Sequence, residues 1–353
     1  MANFPVSGKI QHDFFSEIIF PNCGQEREEV IIGSQYGIDV SVVRLHGGMA
    51  MALTSDPLTL IPSLGLQESA WLSVQILAND MATTGFAPMF AQLVLNLPVS
   101  ITAAEFSQYW NYIHQYCKEI GIAITGGHTG QVAGQNSTVA GGGTFITVAA
   151  EQLLLTSNKA QAGDIIIVTK ECALTASSIL AMSFPETVKN KCGVEVYQQG
   201  CALFYSTSSL KDGLTASIIE NSQRAITAMH DVTEGGVLGA IYEMAIASNL
   251  GVHINMNHLP TGVVQESICK VFDIDQNYVV GAGSMIIAAK KEKKDMVMNR
   301  LAAANIKATE VGYFTNDVSK KELIRDGFIN SLQHPGTDAY WNAFYTAIYK
   351  GWK

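Results

Sequence analysis

Apolar and polar positions along the first half of the chain follow two periods, one typical of strands and one typical of helices. Alternating positions predict strands, and positions three or four residues apart predict helices: strands at 49–54, 90–97 and 137–149, helices at 69–84 and 103–120. A short strand at 121–125 is expected to lead into a glycine-rich loop at 126–130. These elements together predict one mixed unit of helices and strands.

The second half shows the same mixture after a polar segment of small residues at 156–164. The pattern predicts strands at 165–169 and near Ala225, Val252 and Met285, helices at 175–183 and 195–209, and a glycine-rich helix start at Asp231. We place the domain boundary at the polar segment. The expected fold class is α+β (mixed α/β), with two domains at residues 1–155 and 156–353.

Composition then narrows the class of protein. The 353 residues carry 22 Lys and Arg against 31 Asp and Glu, and the formal charge of −9 argues against a nucleic-acid binder that uses a broad basic face. Hydrophobic residues make up 48% and charged residues 15%, which is typical of a compact globular protein. The sequence has no uninterrupted apolar run of about 18 residues, and Lys9, Asp13 and Glu17 stand where a signal peptide needs apolar residues. We therefore expect a soluble, cytoplasmic protein with no membrane partner.

Four aspartates stand in surroundings that differ from an ordinary surface. Asp39, Asp56, Asp80 and Asp231 are flanked by small or apolar residues, with no Lys or Arg within three positions. A buried carboxylate is costly unless it is paired, hydrogen-bonded or bound to a metal, and carboxylate oxygens suit Mg²⁺ that bridges to phosphates. The alternative is that Asp39 and Asp56 are turn residues and that Asp80 and Asp231 are helix caps. Four such residues together favour the metal site.

Two glycine-rich segments are candidates for binding an anion. Gly235 and Gly236 precede an apolar helical stripe, so their backbone N–H groups could bind an anion at a helix N-terminus. The alternative is a simple N-cap at Asp231 or Thr233. The predicted loop at 126–130 could approach a phosphate or a substrate in the same way. No Walker-type phosphate loop, nucleophile elbow or zinc-protease motif occurs in the sequence.

Taken in order, short motifs along most of the chain resemble a family of ATP-dependent enzymes. This AIR synthase-related family includes aminoimidazole ribonucleotide (AIR) synthetase, selenophosphate synthetase, thiamine monophosphate kinase and the hydrogenase maturation factor HypE. The matching segments are Ser7-Gly8-Lys9-Ile10, Gly37 to Val43, Leu53 to Pro57, Asn79 to Pro88, Gly126 to Thr129 and His230 to Gly236. The segment Asn79 to Pro88 is the most specific of the set. The C-terminal pattern between Ser267 and Ser284 is similar to that of HypE-like proteins.

The resemblance implies a two-domain PurM-like fold, with an N-terminal β-rich domain that dimerises and a C-terminal α/β domain. It also implies a homodimer that holds ATP and Mg²⁺ and acts on an unidentified small-molecule or protein-borne substrate. By position, the candidate metal ligands are Asp39, Asp56, Asp80 and Asp231, and the candidate catalytic residues are Lys9, on the phosphates, and His128, facing ATP or substrate. The candidate cofactor-binding residues are Lys9, Asn79, Gly126, Gly127, Thr129, Thr233, Gly235 and Gly236.

Three departures from the family pattern bear on the activity. Ile38 stands where the family has a second carboxylate before Asp39. The chain ends in Tyr349-Lys350-Gly351-Trp352-Lys353, without the terminal cysteine of HypE, and Ser7 and Gly8 replace the reactive residue of selenophosphate synthetase. The main hypothesis is an ATP- and Mg²⁺-dependent enzyme that activates an amide-like or carboxylate oxygen by phosphoryl transfer. The alternatives are a non-catalytic nucleotide-binding accessory dimer and a small-molecule kinase of the thiamine monophosphate type.

Overall fold

The first half of the protein is built on a six-stranded sheet. The computed structural model describes residues 8–10, 12–220 and 223–353, so Ser7 of the N-terminal motif lies outside the described residues. The strand order is β1-β2-β3-β6-β4-β5. The strands are β1 Val30–Ile32, β2 Ser41–Arg44, β3 Met49–Thr59, β4 Phe90–Pro98, β5 Ala123–Val132 and β6 Val139–Ala150. The helices of this half are α1 His12–Phe14, α2 Leu66–Ala82 and α3 Ala103–Glu119.

One face of this sheet is covered by helices and the other is not. Along β4, Leu93 and Leu95 are buried in a core with residues of α2 and α3, while Val94 and Phe90 point to the opposite face and are exposed. The strict alternation of β4 is what a half-covered sheet requires. The strand predicted at 90–97 and the helix predicted at 69–84 are confirmed.

Helix α3 begins where its sequence places a capping box. Thr102 accepts a hydrogen bond from the Glu105 amide at 3.2 Å, and the Glu105 carboxylate accepts one from the Thr102 amide at 2.8 Å. The reciprocal bonds satisfy two N–H groups that a helix start otherwise leaves free. The predicted helix at 103–120 is therefore confirmed, with its first residue at Ala103.

The second half carries a seven-stranded sheet in the order β10-β12-β7-β13-β11-β14-β15, and a small hairpin of β8 and β9. The strands are β7 Ile165–Thr169, β8 Ile219–Glu220, β9 Gln223–Arg224, β10 Ile226–Asp231, β11 Gly251–Asn255, β12 Met285–Ala289, β13 Ala308–Thr315, β14 Lys321–Arg325 and β15 Phe328–Ser331. The helices are α4 Leu174–Ser183, α5 Pro185–Cys192, α6 Val194–Ala202, α7 Leu210–Ala216, α8 Gly236–Ala247, α9 Val263–Val271, α10 Lys294–Ala303 and α11 Ala339–Tyr349. Two sheets with packed helices confirm the expected mixed α/β class.

The two halves share hydrophobic clusters and a buried pair of hydrogen bonds at Asn79. Leu77 and Met81 of α2 belong to the same buried cluster as Met285 and Ile287 of β12. The Asn79 amide donates to the Thr207 carbonyl at 2.9 Å and accepts from the Ser209 amide at 2.6 Å. The proposed division of the chain at residue 155 stays a prediction.

Three local predictions are wrong. Residues 126–130 are not a loop but lie within β5, which pairs in parallel with β4. Gly127 allows this pairing, because a Cβ there would stand 1.7 Å from the Leu93 carbonyl oxygen. The predicted helix at 195–209 ends at Ala202 and continues as a 3₁₀ turn, and Asp231 ends β10 instead of starting a helix. Across the residues that the structure describes, no helix is both long and apolar enough to cross a membrane.

We expect Asn79→Ala to lower the free energy of unfolding by about 2–6 kcal/mol. The change leaves the Thr207 carbonyl and the Ser209 amide without their buried partner, at roughly 1–3 kcal/mol each. Chemical denaturation measures the loss, and Asn330→Ala on the exposed strand β15 is the matched control. Equal stability of the two variants would contradict a structural role for Asn79.

Candidate active site

The structure brings the four predicted aspartates together from three different elements and one turn. Asp56 lies in β3, Asp80 near the end of α2, Asp231 at the end of β10, and Asp39 just before β2. The Asp231 amide lies 3.4 Å from Asp39 Oδ2 and donates to it. Ligand atoms of Asp39, Asp231 and the neighbouring His230 all lie within 4.8 Å of one another. The site therefore joins residues of both halves of the chain.

Local packing sets the positions of Asp39 and Asp80. Gly37 has a φ of +73°, and a Cβ there would lie 2.5 Å from the Glu243 carbonyl oxygen, so the turn before Asp39 rests directly on helix α8. The Ser157 hydroxyl donates to Asp39 Oδ2 at 3.1 Å. The Thr54 hydroxyl donates to Asp80 Oδ2 at 2.6 Å. Each carboxylate is thus held by a short neutral side chain.

The cluster carries more negative charge than its surroundings neutralise. Burial raises the pKa of Asp80 well above its ordinary value, and the charges of Asp231, Asp56 and Asp39 raise it further. Burial and the Asp39 charge likewise raise the pKa of Asp231. Burial raises the pKa of Asp56 to about 7, although the Lys9 ammonium acts in the opposite direction. Burial also raises the pKa of Asp39, against the opposing effect of His230.

These residues fit a divalent cation. Asp231 Oδ2 is buried and has no hydrogen-bond partner among residues 8–10, 12–220 and 223–353. A buried carboxylate oxygen without a donor is costly, and a cation beside it removes that cost. A set of several carboxylates is the donor type that Mg²⁺ and Mn²⁺ take. The Asp39, His230 and Asp231 ligand atoms are close enough together to share one ion.

Lys9 lies at the edge of this cluster. Its backbone amide donates to Glu234 Oε2 at 2.8 Å, and its ammonium lies 3.4 Å from Glu243 Oε2. Burial acts to lower the pKa of Lys9, but the charges of Glu243, Asp39 and Asp231 outweigh it and raise the pKa above its ordinary value. Lys9 is therefore a firmly charged ammonium beside four carboxylates.

Sequence reasoning missed Glu234, Glu243 and His334, and it quoted His230 without giving it a role. His230 Nδ1 lies 3.2 Å from Asp39 Oδ1 and 2.8 Å from the Asp231 carbonyl oxygen. His334 Nε2 lies 3.4 Å from Glu243 Oε1. One signal for Glu243 was available, because it is the single charged residue in the helix sequence GVLGAIYEMAIA. No pattern in the sequence singles out His334, which follows the last strand, β15.

The glycines before α8 do not present free N–H groups as predicted. Asp338 Oδ2 accepts from the Gly235 amide at 2.8 Å, and the Thr233 carbonyl accepts from the Gly236 amide at 3.2 Å. The carboxylate at this helix start thus belongs to the chain itself. Burial raises the pKa of Asp338 to about 6, although the backbone donors Gly235 and Tyr340 lower it. The alternative of an N-cap at Asp231 or Thr233 also fails, since Gly235 occupies the N-cap position.

The candidates on strand β5 lie away from the aspartates within one chain, and Asn79, which precedes Asp80, points elsewhere. His128 and its neighbours Gly126, Gly127 and Thr129 are exposed on the edge strand β5. The register places Gly127 beside Leu93, Leu93 beside Gly143, and Gly143 beside Asp56, so three strand spacings, about 14 Å, separate Gly127 from Asp56. Asn79 is fully buried with its amide bound to Thr207 and Ser209, so the geometry gives it a structural role instead of a cofactor contact.

Comparison with known families matches both halves of the chain. The model of the AIR synthase related protein N-terminal domain matches residues 37–148, and that of the C-terminal domain matches residues 161–324. The two matched segments contain Asp39, Asp56, Asp80 and Asp231. The chain belongs to the AIR synthase-related family. The resemblance stated from the motifs is confirmed.

Several members of this AIR synthase-related family are similar over most of their length. A putative hydrogenase expression/formation protein of Methanocaldococcus jannaschii is 24% identical over 317 residues, which cover 88% of this chain and 89% of that protein. A selenide, water dikinase of the same organism is 25% identical over 302 residues, 81% of this chain and 82% of that protein. The crystal structure of hydrogenase maturation protein HypE in complex with ATP has a TM-score of 0.63 at 16% identity, covering 94% of this chain and 97% of that chain. This likeness confirms the two-domain fold.

We expect the metal-free protein to lose stability as the pH rises from about 4 to about 7. The pKa of Asp56 is raised from 3.8 to about 7, so the folded chain holds a proton that the unfolded chain releases, and this advantage disappears as the pH passes 7. Thermal unfolding at pH 5 and pH 8 measures the effect.

The matched comparison is Asp56→Asn, which should show a smaller fall in Tm between the two pH values, by a few degrees. Asp295→Asn, at a side chain that is 89% exposed, should behave as the wild type does. An identical fall in the wild type and in Asp56→Asn would overturn the electrostatic account of Asp56.

Proposed function

We propose that this chain is an ATP- and Mg²⁺-dependent enzyme that activates an amide-like or carboxylate oxygen by phosphoryl transfer. The observation that carries the proposal is the cluster of four buried or partly buried aspartates, whose pKa values burial raises, beside the Lys9 ammonium. The similarity to a selenide, water dikinase and to a hydrogenase maturation protein whose structure holds ATP supports it. The acceptor is a small molecule or a group carried by another protein.

The proposed roles follow from charge and position. Asp39, Asp56, Asp80 and Asp231 hold the cation, and Lys9 faces the oxygens on which negative charge develops. Bound Mg²⁺ supplies charge neutralisation of the ATP phosphates. Catalysis of phosphoryl transfer consists mostly of positioning and charge stabilisation, so a site of fixed carboxylates and one ammonium is sufficient in kind. The glycines Gly235 and Gly236 support this site by close packing of α8, since their N–H groups are already taken.

We further propose that the protein works as a homodimer through the uncovered face of the first sheet. Large apolar side chains are exposed on or beside its central strands: Met89, Phe90, Val94, Val132 and Val139, each 37–44% exposed. Exposed apolar clusters of this kind mark interaction sites. A second copy would cover them and would bring the edge strand that carries His128 to the dimer interface. His128 is then placed to polarise substrate or move a proton in the assembled dimer.

One observation favours the accessory alternative. Ile38 is apolar at a position next to Asp39, so this chain has one carboxylate fewer than the family motif. A dimer that binds nucleotide without turning it over would need only the remaining aspartates. Slow Mg²⁺-dependent ATP hydrolysis favours the enzyme, binding without hydrolysis in the presence of candidate acceptors favours the accessory protein, and release of a phosphorylated product favours a kinase.

We expect Asp80→Asn to weaken Mg²⁺-dependent ATP binding and turnover by about 100-fold or more, because it removes a charge that the cation requires. Calorimetric titration of ATP with and without Mg²⁺, with phosphate release followed in parallel, measures both effects. Asp295→Asn, exposed and distant in sequence, is the control and should match the wild type. Full activity in a folded Asp80→Asn variant would contradict the metal assignment.

We expect Val94→Asp to convert the dimer into a monomer, because it buries a charge at the centre of the proposed interface. Size-exclusion chromatography with light scattering measures the mass. Val263→Asp is the matched control, since Val263 is 79% exposed on α9 in the second half. A wild-type monomer, or a dimer in both variants, would rule out this interface.

A further inference from the structure

Glu243 is an acidic side chain in a place where an acidic side chain is costly. It lies in helix α8, whose other residues are apolar or polar without charge, and its side chain is 2% exposed. An unpaired carboxylate at such a position destabilises a protein strongly. The side chain must therefore be compensated by partners inside the protein.

Four side chains from distant parts of the sequence provide that compensation. The Lys9 ammonium lies 3.4 Å from Oε2 and 3.5 Å from Oε1. His230 Nε2 lies 3.4 Å from Oε2, and His334 Nε2 lies 3.4 Å from Oε1. The Tyr36 hydroxyl faces the same carboxylate. Glu243 thus joins the N-terminal segment, the turn before Asp39, strand β10 and the segment after β15.

The protonation of His334 agrees with this arrangement. His334 Nδ1 accepts a hydrogen bond from the Gly336 amide at 3.1 Å, so the proton of a neutral ring lies on Nε2, which faces Glu243. The backbone of Glu243 contributes as well, because its carbonyl oxygen supports Gly37 and hence the turn that presents Asp39. Glu243 thus contacts the Lys9 ammonium through its side chain and the turn that presents Asp39 through its backbone.

Glu243 differs from the four aspartates in the direction in which its surroundings shift its pKa. Burial acts to raise its pKa, but the Lys9 charge and the contacts with His230 and His334 lower it well below its ordinary value. The aspartates show the opposite direction. The contacts of the Glu243 carboxylate are with the side chains of Lys9, His230, His334 and Tyr36.

The Lys9 ammonium has a second set of attractive neighbours. The charges of Asp39 and Asp231 act on it as Glu243 does. If Glu243 lost its charge, the flexible Lys9 side chain would be drawn toward those aspartates and would compete with a cation there. Glu243 keeps the ammonium beside the cluster and out of it.

We propose that Glu243 is the positioning residue of the site: it holds Lys9 and His230 at the edge of the aspartate cluster and leaves the aspartates free for the cation. In this role Glu243 acts through Lys9 and His230. The role rests on the proposed phosphoryl-transfer function, and it also makes a claim about Lys9 that holds without turnover.

The first test is a double-mutant cycle on kcat/KM for ATP with Glu243→Gln and Lys9→Met. Each single variant should lose about 10- to 100-fold, and the double variant should lose no more than the worse single one, because Glu243 acts through Lys9. The matched control is Asp212→Asn, which removes a carboxylate that is also 2% exposed and lies 2.7 Å from the ammonium of Lys170. Its effect should add to that of Lys9→Met. Additive losses for Glu243→Gln would overturn the proposal.

The second test needs no ATP turnover. Mass spectrometry follows acetylation of Lys9 by acetic anhydride, and Mn²⁺ binding is titrated in the same variants. Glu243→Gln should be acetylated at Lys9 several-fold more slowly than the wild type, because its ammonium moves in among Asp39 and Asp231, and it should bind Mn²⁺ several-fold more weakly, whereas Asp212→Asn should change neither. Unchanged Lys9 reactivity in Glu243→Gln would refute the positioning role.

The two tests separate the two hypotheses. A wild-type protein without ATP turnover whose Lys9 reactivity still depends on Glu243 would contradict the proposed function alone. If Glu243→Gln does not fold, Glu243→Asp keeps the charge and shortens the side chain by one methylene. That variant should retain the fold and show an intermediate acetylation rate, and a wild-type rate in it would count against the role.

Discussion

The arrangement of this protein depends on the repulsion among carboxylates that the fold forces together. Four aspartates lie in a largely buried space, and burial together with the charges of the other three raises the pKa of Asp80 well above its ordinary value. Like charges at low dielectric repel strongly, so a chain without a compensating cation is destabilised at this point. Thr54, Ser157 and Lys9 reduce the cost in part. A divalent ion would neutralise the negative charge that remains.

The two halves of the chain must be docked for this cluster to exist. Asp56 and Asp80 belong to the first half, and Asp231 and Glu243 belong to the second. The shared core of α2 and β12, together with the bonds of Asn79 to Thr207 and Ser209, holds them in register. The apolar contacts of the core therefore offset the electrostatic cost of bringing the aspartates together.

Much of the fold and part of the site could be predicted from the sequence. The alternation of apolar residues identified β4, and the helical period identified α3, because these signals are local. The aspartates could be singled out because no basic residue neighbours them. The loop at 126–130 could not be corrected from sequence, since whether Gly127 serves a turn or a close strand contact depends on β4.

Partners from distant segments were likewise beyond local reasoning. Nothing in the sequence around His334 or Asp338 indicates that these residues contact helix α8. The prediction that Gly235 and Gly236 offer an anion site used a correct rule for helix starts, but the anion was a carboxylate of the chain. The roles assigned to Lys9, His128 and the four aspartates stay predictions.

Asp338 links the C-terminal helix α11 to the start of helix α8. Its two oxygens accept from the Gly235 amide at the start of α8 and from the Tyr340 amide at the start of α11. A single carboxylate thus serves two helix starts, and their order is coupled. Fraying of α11 from its first turn would withdraw the anion from α8 and loosen the adjoining His334, which contacts Glu243. The segment around Asp338 therefore stabilises helix α8, which carries Glu243. Its removal by proteolysis would disturb the site indirectly, through this helix.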